Sequence, residues 1–175
     1  DGTTSPAGHG ERKIKFNDMK VLIATGKPFA KKAVDGIKKI ITDAGYEVAL
    51  LEKYTDKAQL LAAVADANAL IIRSDKVTAE VIEAAKNLKI VVRAGAGYDN
   101  VDLAAATAKG IVVMNTPGQN SNAVAELALG MMVFMARNQF TPGTGSELKG
   151  KTLAIHAYGN VGKLVGRKGK GLGMN

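Results

Sequence analysis

The sequence predicts an α/β protein built on a doubly wound parallel sheet, and three observations predict it. Short apolar runs alternate with stretches of helical periodicity from Val21 to Val113. The runs are aliphatic and often β-branched at successive positions, as strands buried on both faces must be. The segments between them suit crossover helices, and right-handed crossovers wind such units into an open sheet.

Taken in order, Val21–Ala24 is the first strand. Pro28 suits the first turn of a helix whose apolar face is Ala33, Val34, Ile37, Ile40, Ile41 and Ala44, closed by Gly45. Val48–Leu51 is the second strand, followed by a helix near 56–66 with Leu60, Leu61 and Val64 facing inward. Ala69–Ile72 is the third strand, Thr78–Ala85 a helix and Leu88–Val92 the fourth strand. Asp102 caps a helix that runs to Ala108 and ends at Gly110, and Ile111–Val113 is the fifth strand. After Met114–Gly118 the pattern changes. Ser121 or Asn122 is placed to cap a long helix from Ala123 to about Arg137, and a Gly/Pro/Thr loop follows. Thr152–Ala157 then reads as a strand and Asn160 to about Gly171 as a helix.

This divides the chain into a leader at 1–18, a sheet domain at 19–118, and a linking helix with one further strand–helix unit at 119–175. The leader is polar, unpatterned and balanced in charge. The absence of cysteine excludes disulfides and thiolate metal sites, and His9 and His156 are too isolated for a zinc site. No apolar run reaches the ~20 residues that span a bilayer, so a cytoplasmic protein without a membrane partner is expected. The net charge of +8 is concentrated near the end: seven Lys or Arg stand against Glu147 alone from Arg137 onward. With no recognition motif or aromatic platform, this basicity fits attraction of a small anion and not nucleic-acid binding.

Two constellations carry chemistry. Arg73-Ser74 follows the third strand, and Arg93-Ala94-Gly95-Ala96-Gly97-Tyr98 follows the fourth. In an open parallel sheet, ligands bind beyond the carboxyl ends of the strands. Two guanidinium groups and a glycine turn there suit a phosphate and a carboxylate. The competing reading is of surface arginines paired with Asp75 and Asp99. The second constellation is Ala157-Tyr158-Gly159-Asn160-Val161-Gly162, between a strand and a helix. It matches the second and third glycines of the dinucleotide fingerprint and has Ala157 at the first. Gly159 would admit a pyrophosphate to the helix N-terminus and Gly162 close helix–strand packing; the competing reading is a plain strand–helix turn. The ribose-binding acid, which decides between NAD and NADP, belongs near 180. His156, inside a strand, reads as a core or surface residue. No general base is visible, so the catalytic residues are expected beyond Asn175 and the 175-residue chain alone is expected to be inactive.

Ile72-Arg73-Ser74, Val92–Asp102, Met114-Asn115-Thr116-Pro117 and Asn122–Leu127, in this order, resemble the D-2-hydroxyacid dehydrogenase family from about Met19 to Asn175. The resemblance implies a flavodoxin-like substrate domain followed by the start of a Rossmann NAD-binding domain. The implied reaction is oxidation of 3-phospho-D-glycerate to 3-phosphohydroxypyruvate with NAD, in L-serine biosynthesis. By the same resemblance Arg73 and Arg93 hold the phosphate end, the backbone of Gly95, Ala96 and Gly97 binds the carboxylate, Ser74 is a further substrate-binding residue, and Asn120 lies beside the substrate. Ala96, Gly159, Asn160, Val161 and Gly162 would meet the cofactor, and a homodimer would form through the 122–137 helix. The alternatives are a dehydrogenase of another D-2-hydroxy acid and a non-catalytic, NAD-sensing binding protein. The connection at 138–147 is shorter than the basic insert of many relatives, which counts against a substrate contact from a neighbouring subunit.

Overall fold

A computed structural model of the chain describes residues 19–175, and the expected leader lies outside them. Strand and helix alternate as β1 (Lys20–Thr25), α1 (Lys31–Asp43), β2 (Glu47–Glu52), α2 (Lys57–Val64), β3 (Ala69–Ile72), α3 (Ala79–Ala84), β4 (Ile90–Arg93), α4 (Leu103–Ala108) and β5 (Val112–Asn115). Then come α5 (Ser121–Ala136), a short 3-10 turn (Asn138–Phe140) and α6 (Asn160–Gly171). The five strands form one parallel sheet in the order β2-β1-β3-β4-β5. The described chain forms two compact units, one of residues up to Val91 with Asp102–Val112, the other of Val92–Val101 with Val113–Asn175.

In the first unit, successive strands begin on a staircase of hydrogen bonds. The amide of Glu47 donates to Met19, Asn68 to Lys20, Lys89 to Asn68 and Val112 to Lys89, at 2.8–3.0 Å. The register sets Val21 beside Val48 and Ala69, and Ile23 beside Leu50 and Ile71. Strand side chains alternate, so Val21 and Ile23 share one face, where Ile41, Ile37 and Phe29 pack on them. The chain reverses direction across the sheet between β1→β2 and β2→β3. Right-handed crossovers therefore put α1 on one face and α2 on the other. Leu22, Ile23, Leu70, Ile72, Val81 and Val91 are at most 1% exposed, each contributing about 1.5–3 kcal/mol relative to exposure.

Local signals place several ends. The Asp102 carboxylate accepts from the Ala105 amide at 3.0 Å, capping α4. Asp56 and Gln59 form a capping box on α2. Gly45 and Gly110 close α1 and α4 at φ +82° and +66°, a conformation that costs a residue with a Cβ about 1–2 kcal/mol. Lys109 donates to the carbonyls of Ile82 and Glu83, both at 3.2 Å, and so satisfies the open end of α3.

Five expectations need correction. Pro28 precedes α1, which starts at Lys31 after Ala30. Ile40, assigned to the inward face of α1, is 72% exposed, because that face closes on the sheet through Val34, Ile37 and Ile41. Burial on both faces holds for β1 and not for the edge strands β2 and β5, where Leu50, Val112 and Met114 are exposed. Neither Ser121 nor Asn122 caps α5: Asn120 holds that position without a side-chain cap, and Asn122 donates instead to Glu126 at 2.7 Å. Thr152–Ala157 forms no strand. A strand is defined by its partner, and this segment has a single rung of parallel type: Leu153 donates to Asn175 at 2.8 Å and Asn175 to Lys151 at 2.9 Å.

In the second unit, α5 and α6 pack through Ala125, Leu129 and Val165, with Met132, Leu153, Ile155 and Val161 closing the cluster. Lys168 on α6 pairs with Glu126 on α5 at 3.3 Å.

Candidate substrate and cofactor sites

Arg73 and Ser74 come directly after β3, exposed at the carboxyl end of the sheet. Two residues on, Asp75 turns inward. Its Oδ1 accepts from the Gly26 amide at 2.7 Å and from the Tyr54 hydroxyl at 2.6 Å. One carboxylate thus joins the loops after β1, β2 and β3. Burial, then the hydrogen bond and charge of Asp75, push the Tyr54 phenol well above its ordinary pKa, so it stays protonated as the donor. Sequence reasoning missed this latch. Its only signal was an acid placed two residues after an arginine at a strand end.

In the second unit, Arg93 ends β4 and the chain turns through Ala94–Gly97. The Gly95 amide donates to the Arg93 carbonyl at 2.9 Å. The Gly95 carbonyl accepts from the Thr116 amide at 2.9 Å, and the Ala96 carbonyl from Asn115 Nδ2 at 2.7 Å. A Cβ on Gly95 would overlap the Arg93 guanidinium, which lies across the glycine. Gly95 therefore supplies room for Arg93, and its N–H is already used within the turn. The amides of Ala96 and Gly97 carry no hydrogen bond among the described residues. Asp99 Oδ1 lies beside Gly97, 3.2 Å from where a Cβ would stand.

Of the other residues singled out from sequence, Asn120 is exposed at the N-cap of α5 and His156 is exposed on the surface. The glycine loop leads into α6 as expected. Gly159 is the N-cap, with nothing within 4 Å of where its Cβ would be, so a ligand can reach the backbone there. Gly162 is buried, and a Cβ on it would overlap the Ala157 carbonyl oxygen and lie 3.2 Å from Ile155 Cγ2. The contact repeats along the helix. A Cβ on Gly166 would be 3.0 Å from the Tyr158 hydroxyl, and one on Gly169 would be 2.8 Å from Leu153 Cδ2. Val161 packs into the α5–α6 cluster, which leaves its backbone as the part that can meet a ligand. Ala157, at the first glycine position, has φ +72°, a left-handed conformation that favours glycine. An open N-cap, a helix N-terminus and a close-packed third glycine are the features a dinucleotide pyrophosphate requires, so these residues fit that group. Among the described residues no group of His, Cys, Asp and Glu is arranged to hold a metal.

A parallel sheet in this order, with arginines at the carboxyl ends of its strands and a glycine-rich loop opening a helix, has the features of a nucleotide-binding class of α/β protein. The sequence profile of the family described as D-isomer specific 2-hydroxyacid dehydrogenase, catalytic domain, matches residues 21–167, and the chain belongs to that family. It is 46% identical over 152 residues to the D-3-phosphoglycerate dehydrogenase of Pongo abelii, covering 78% of this chain and 28% of that protein. It is 40% identical over 142 residues to a hydroxypyruvate reductase of Thermotoga maritima, covering 73% of this chain and 46% of that protein. The crystal structure of NAD+-bound 3-phosphoglycerate dehydrogenase from Entamoeba histolytica superposes with a TM-score of 0.86 at 51% identity. That match covers 90% of this chain and 52% of the other, so the chain spans about half the length, or less, of these relatives.

Proposed function

We propose that the protein oxidises 3-phospho-D-glycerate to 3-phosphohydroxypyruvate with NAD, and that this chain supplies substrate-binding groups and part of the cofactor cradle. The observation that carries the reading is that β3 and β4 are neighbours in strand order, with Arg73 directly after the first and Arg93 ending the second, which is followed by a turn with two unengaged amides. Arg73 and Arg93 would hold the phosphate end, beside Ser74 and Asn120. The amides of Ala96 and Gly97 would receive the carboxylate, which fixes C2 and its hydroxyl against the cofactor. NAD, when bound, accepts the hydride from C2. The N-terminus of α6 at Gly159, Asn160 and Val161 would take its pyrophosphate, with Gly162 holding the helix close behind. The names of the two phosphoglycerate dehydrogenases support this substrate and, for the Entamoeba enzyme, this cofactor. On this reading the product feeds L-serine synthesis in the cytoplasm. The domain division is 19–118 for substrate and 119–175 for the link and first nucleotide-binding unit. α5 pairs two copies of the chain through Val124, Leu127, Met131 and Met135, which are 40–64% exposed along one helical stripe.

The test is Arg73→Ala in the catalytically competent protein. The KM for 3-phosphoglycerate rises by about a hundredfold, the worth of ~3 kcal/mol in a charged hydrogen-bonded pair, while the KM for NAD stays put. Equal effects on both reject the assignment. The likeness to a hydroxypyruvate reductase favours a second reading, in which the substrate carries no phosphate. A substrate panel separates the two, since a preference for glycerate over 3-phosphoglycerate selects the second.

A further inference from the structure

We infer that Asn115, at the end of β5, is the positioning residue that aims the carboxylate-binding amides; this rests on the substrate proposed above. A peptide unit is planar and trans, so its C=O and its N–H point in opposite directions. The Gly95 carbonyl belongs to the same unit as the Ala96 amide, and the Ala96 carbonyl to the same unit as the Gly97 amide. Both carbonyls are held by the end of β5: Gly95 by the Thr116 amide at 2.9 Å, Ala96 by Asn115 Nδ2 at 2.7 Å. Each bond therefore turns the partner amide away from β5. Glycine at 97 leaves that second unit free to rotate unless something fixes it, and the Asn115 side chain does. Asn115 is half-buried and its amide donates at short range, so the peptide plane is set before any ligand arrives. Asparagine suits the position because it donates without adding a negative charge beside an anion site. Asn115 touches no substrate atom in this scheme and acts only through the 96–97 peptide.

The experiment compares two ligands in the catalytically competent protein. 3-Phosphoglycerate has both phosphate and carboxylate, whereas glycerol 3-phosphate keeps the phosphate and lacks the carboxylate. Asn115→Leu, nearly isosteric and unable to donate, is expected to raise the KM for 3-phosphoglycerate about tenfold, as losing one aligned hydrogen bond would. The inhibition constant of glycerol 3-phosphate and the KM for NAD stay within about twofold. A general loosening of the fold would move all three, and that outcome, or no change in any, overturns the inference. Asn115→Ala removes the donor without adding bulk and is expected to show the same split. Hydrogen exchange in the unaltered protein gives a readout that needs no variant. The Gly97 amide gains protection with 3-phosphoglycerate and not with glycerol 3-phosphate, and equal protection by both overturns the proposal. Failure of the underlying substrate reading looks different: neither ligand competes in the unaltered protein, and Arg73→Ala changes nothing.

Discussion

Replacing Gly162 with alanine tests the packing that shapes the nucleotide loop. The new methyl would overlap the Ala157 carbonyl oxygen and press on Ile155 at 3.2 Å, with backbone as the main obstacle. A rotamer change cannot relieve that, so α6 must shift outward and loosen the cluster of Ala125, Leu129 and Val165. Overpacking of this kind costs about 1–3 kcal/mol, against which alanine returns about 1 kcal/mol of helix propensity. The expected net loss is up to about 2 kcal/mol, or up to roughly 8 °C in melting temperature at this chain length. The control is Gly36→Ala in the middle of α1, where nothing lies within 4 Å of the place the added methyl would take. There the propensity term acts alone, and the protein gains up to about 1 kcal/mol. Urea and thermal unfolding followed by circular dichroism measure both variants. The reasoning fails if Gly162→Ala is as stable as Gly36→Ala, since that would mean the helix does not need its close approach to 155–157.

Ala157→Gly relieves the left-handed strain at φ +72° and is expected to stabilise by about 0.5–1 kcal/mol after the entropy of glycine is subtracted; a lower melting temperature contradicts it. Tyr54→Phe removes one donor from the Asp75 latch and is expected to cost about 1 kcal/mol, discounted for partial exposure. Because the folded pKa of Tyr54 lies above the unfolded value, its contribution is complete below about pH 10 and fades as pH climbs past that. Tyrosinate absorbance at 295 nm should therefore coincide for the two proteins up to about pH 11, and an extra ionisation in the unaltered protein near pH 10 would count against it. Met131→Lys, on the exposed stripe of α5, is expected to convert the proposed dimer to a monomer in sedimentation experiments. A monomeric unaltered protein at tens of micromolar (a generous concentration on the order of 10⁻⁵ M) would remove the dimer.

Much of the fold was legible because its signals are local. Asp102, Gly45 and Gly110 act within one helical turn, and each does in space what its position in sequence implies. The apolar run of β1 announces itself because both faces are covered, whereas β2 and β5 are also apolar without the same burial. Composition reports that a residue prefers burial; strand order decides whether it gets it. Thr152–Ala157 misled for a related reason, since pairing depends on a neighbour that local pattern does not reveal. The bonds that shape the candidate sites were the least visible. Asp75 reaches Gly26 and Tyr54 across 49 and 21 positions of sequence, and Asn115 reaches Ala96 across 19. Arg73, Arg93 and the glycines stand out in the sequence by type and place, while the long-range partners of Asp75 and Asn115 do not.

The glycines of α6 also bear on how its loop comes to exist. Gly162, Gly166, Gly169 and Gly171 fall within twelve residues, so the segment forgoes about 3–4 kcal/mol of intrinsic helicity relative to alanine. Alone in water such a peptide would be mostly coil. Winding and docking against 153–158 must then happen as one event, and the open helix N-terminus at Gly159 appears only with it. Whatever peels that short segment away would erase the proposed phosphate-binding end outright, without passing through a weaker form of it.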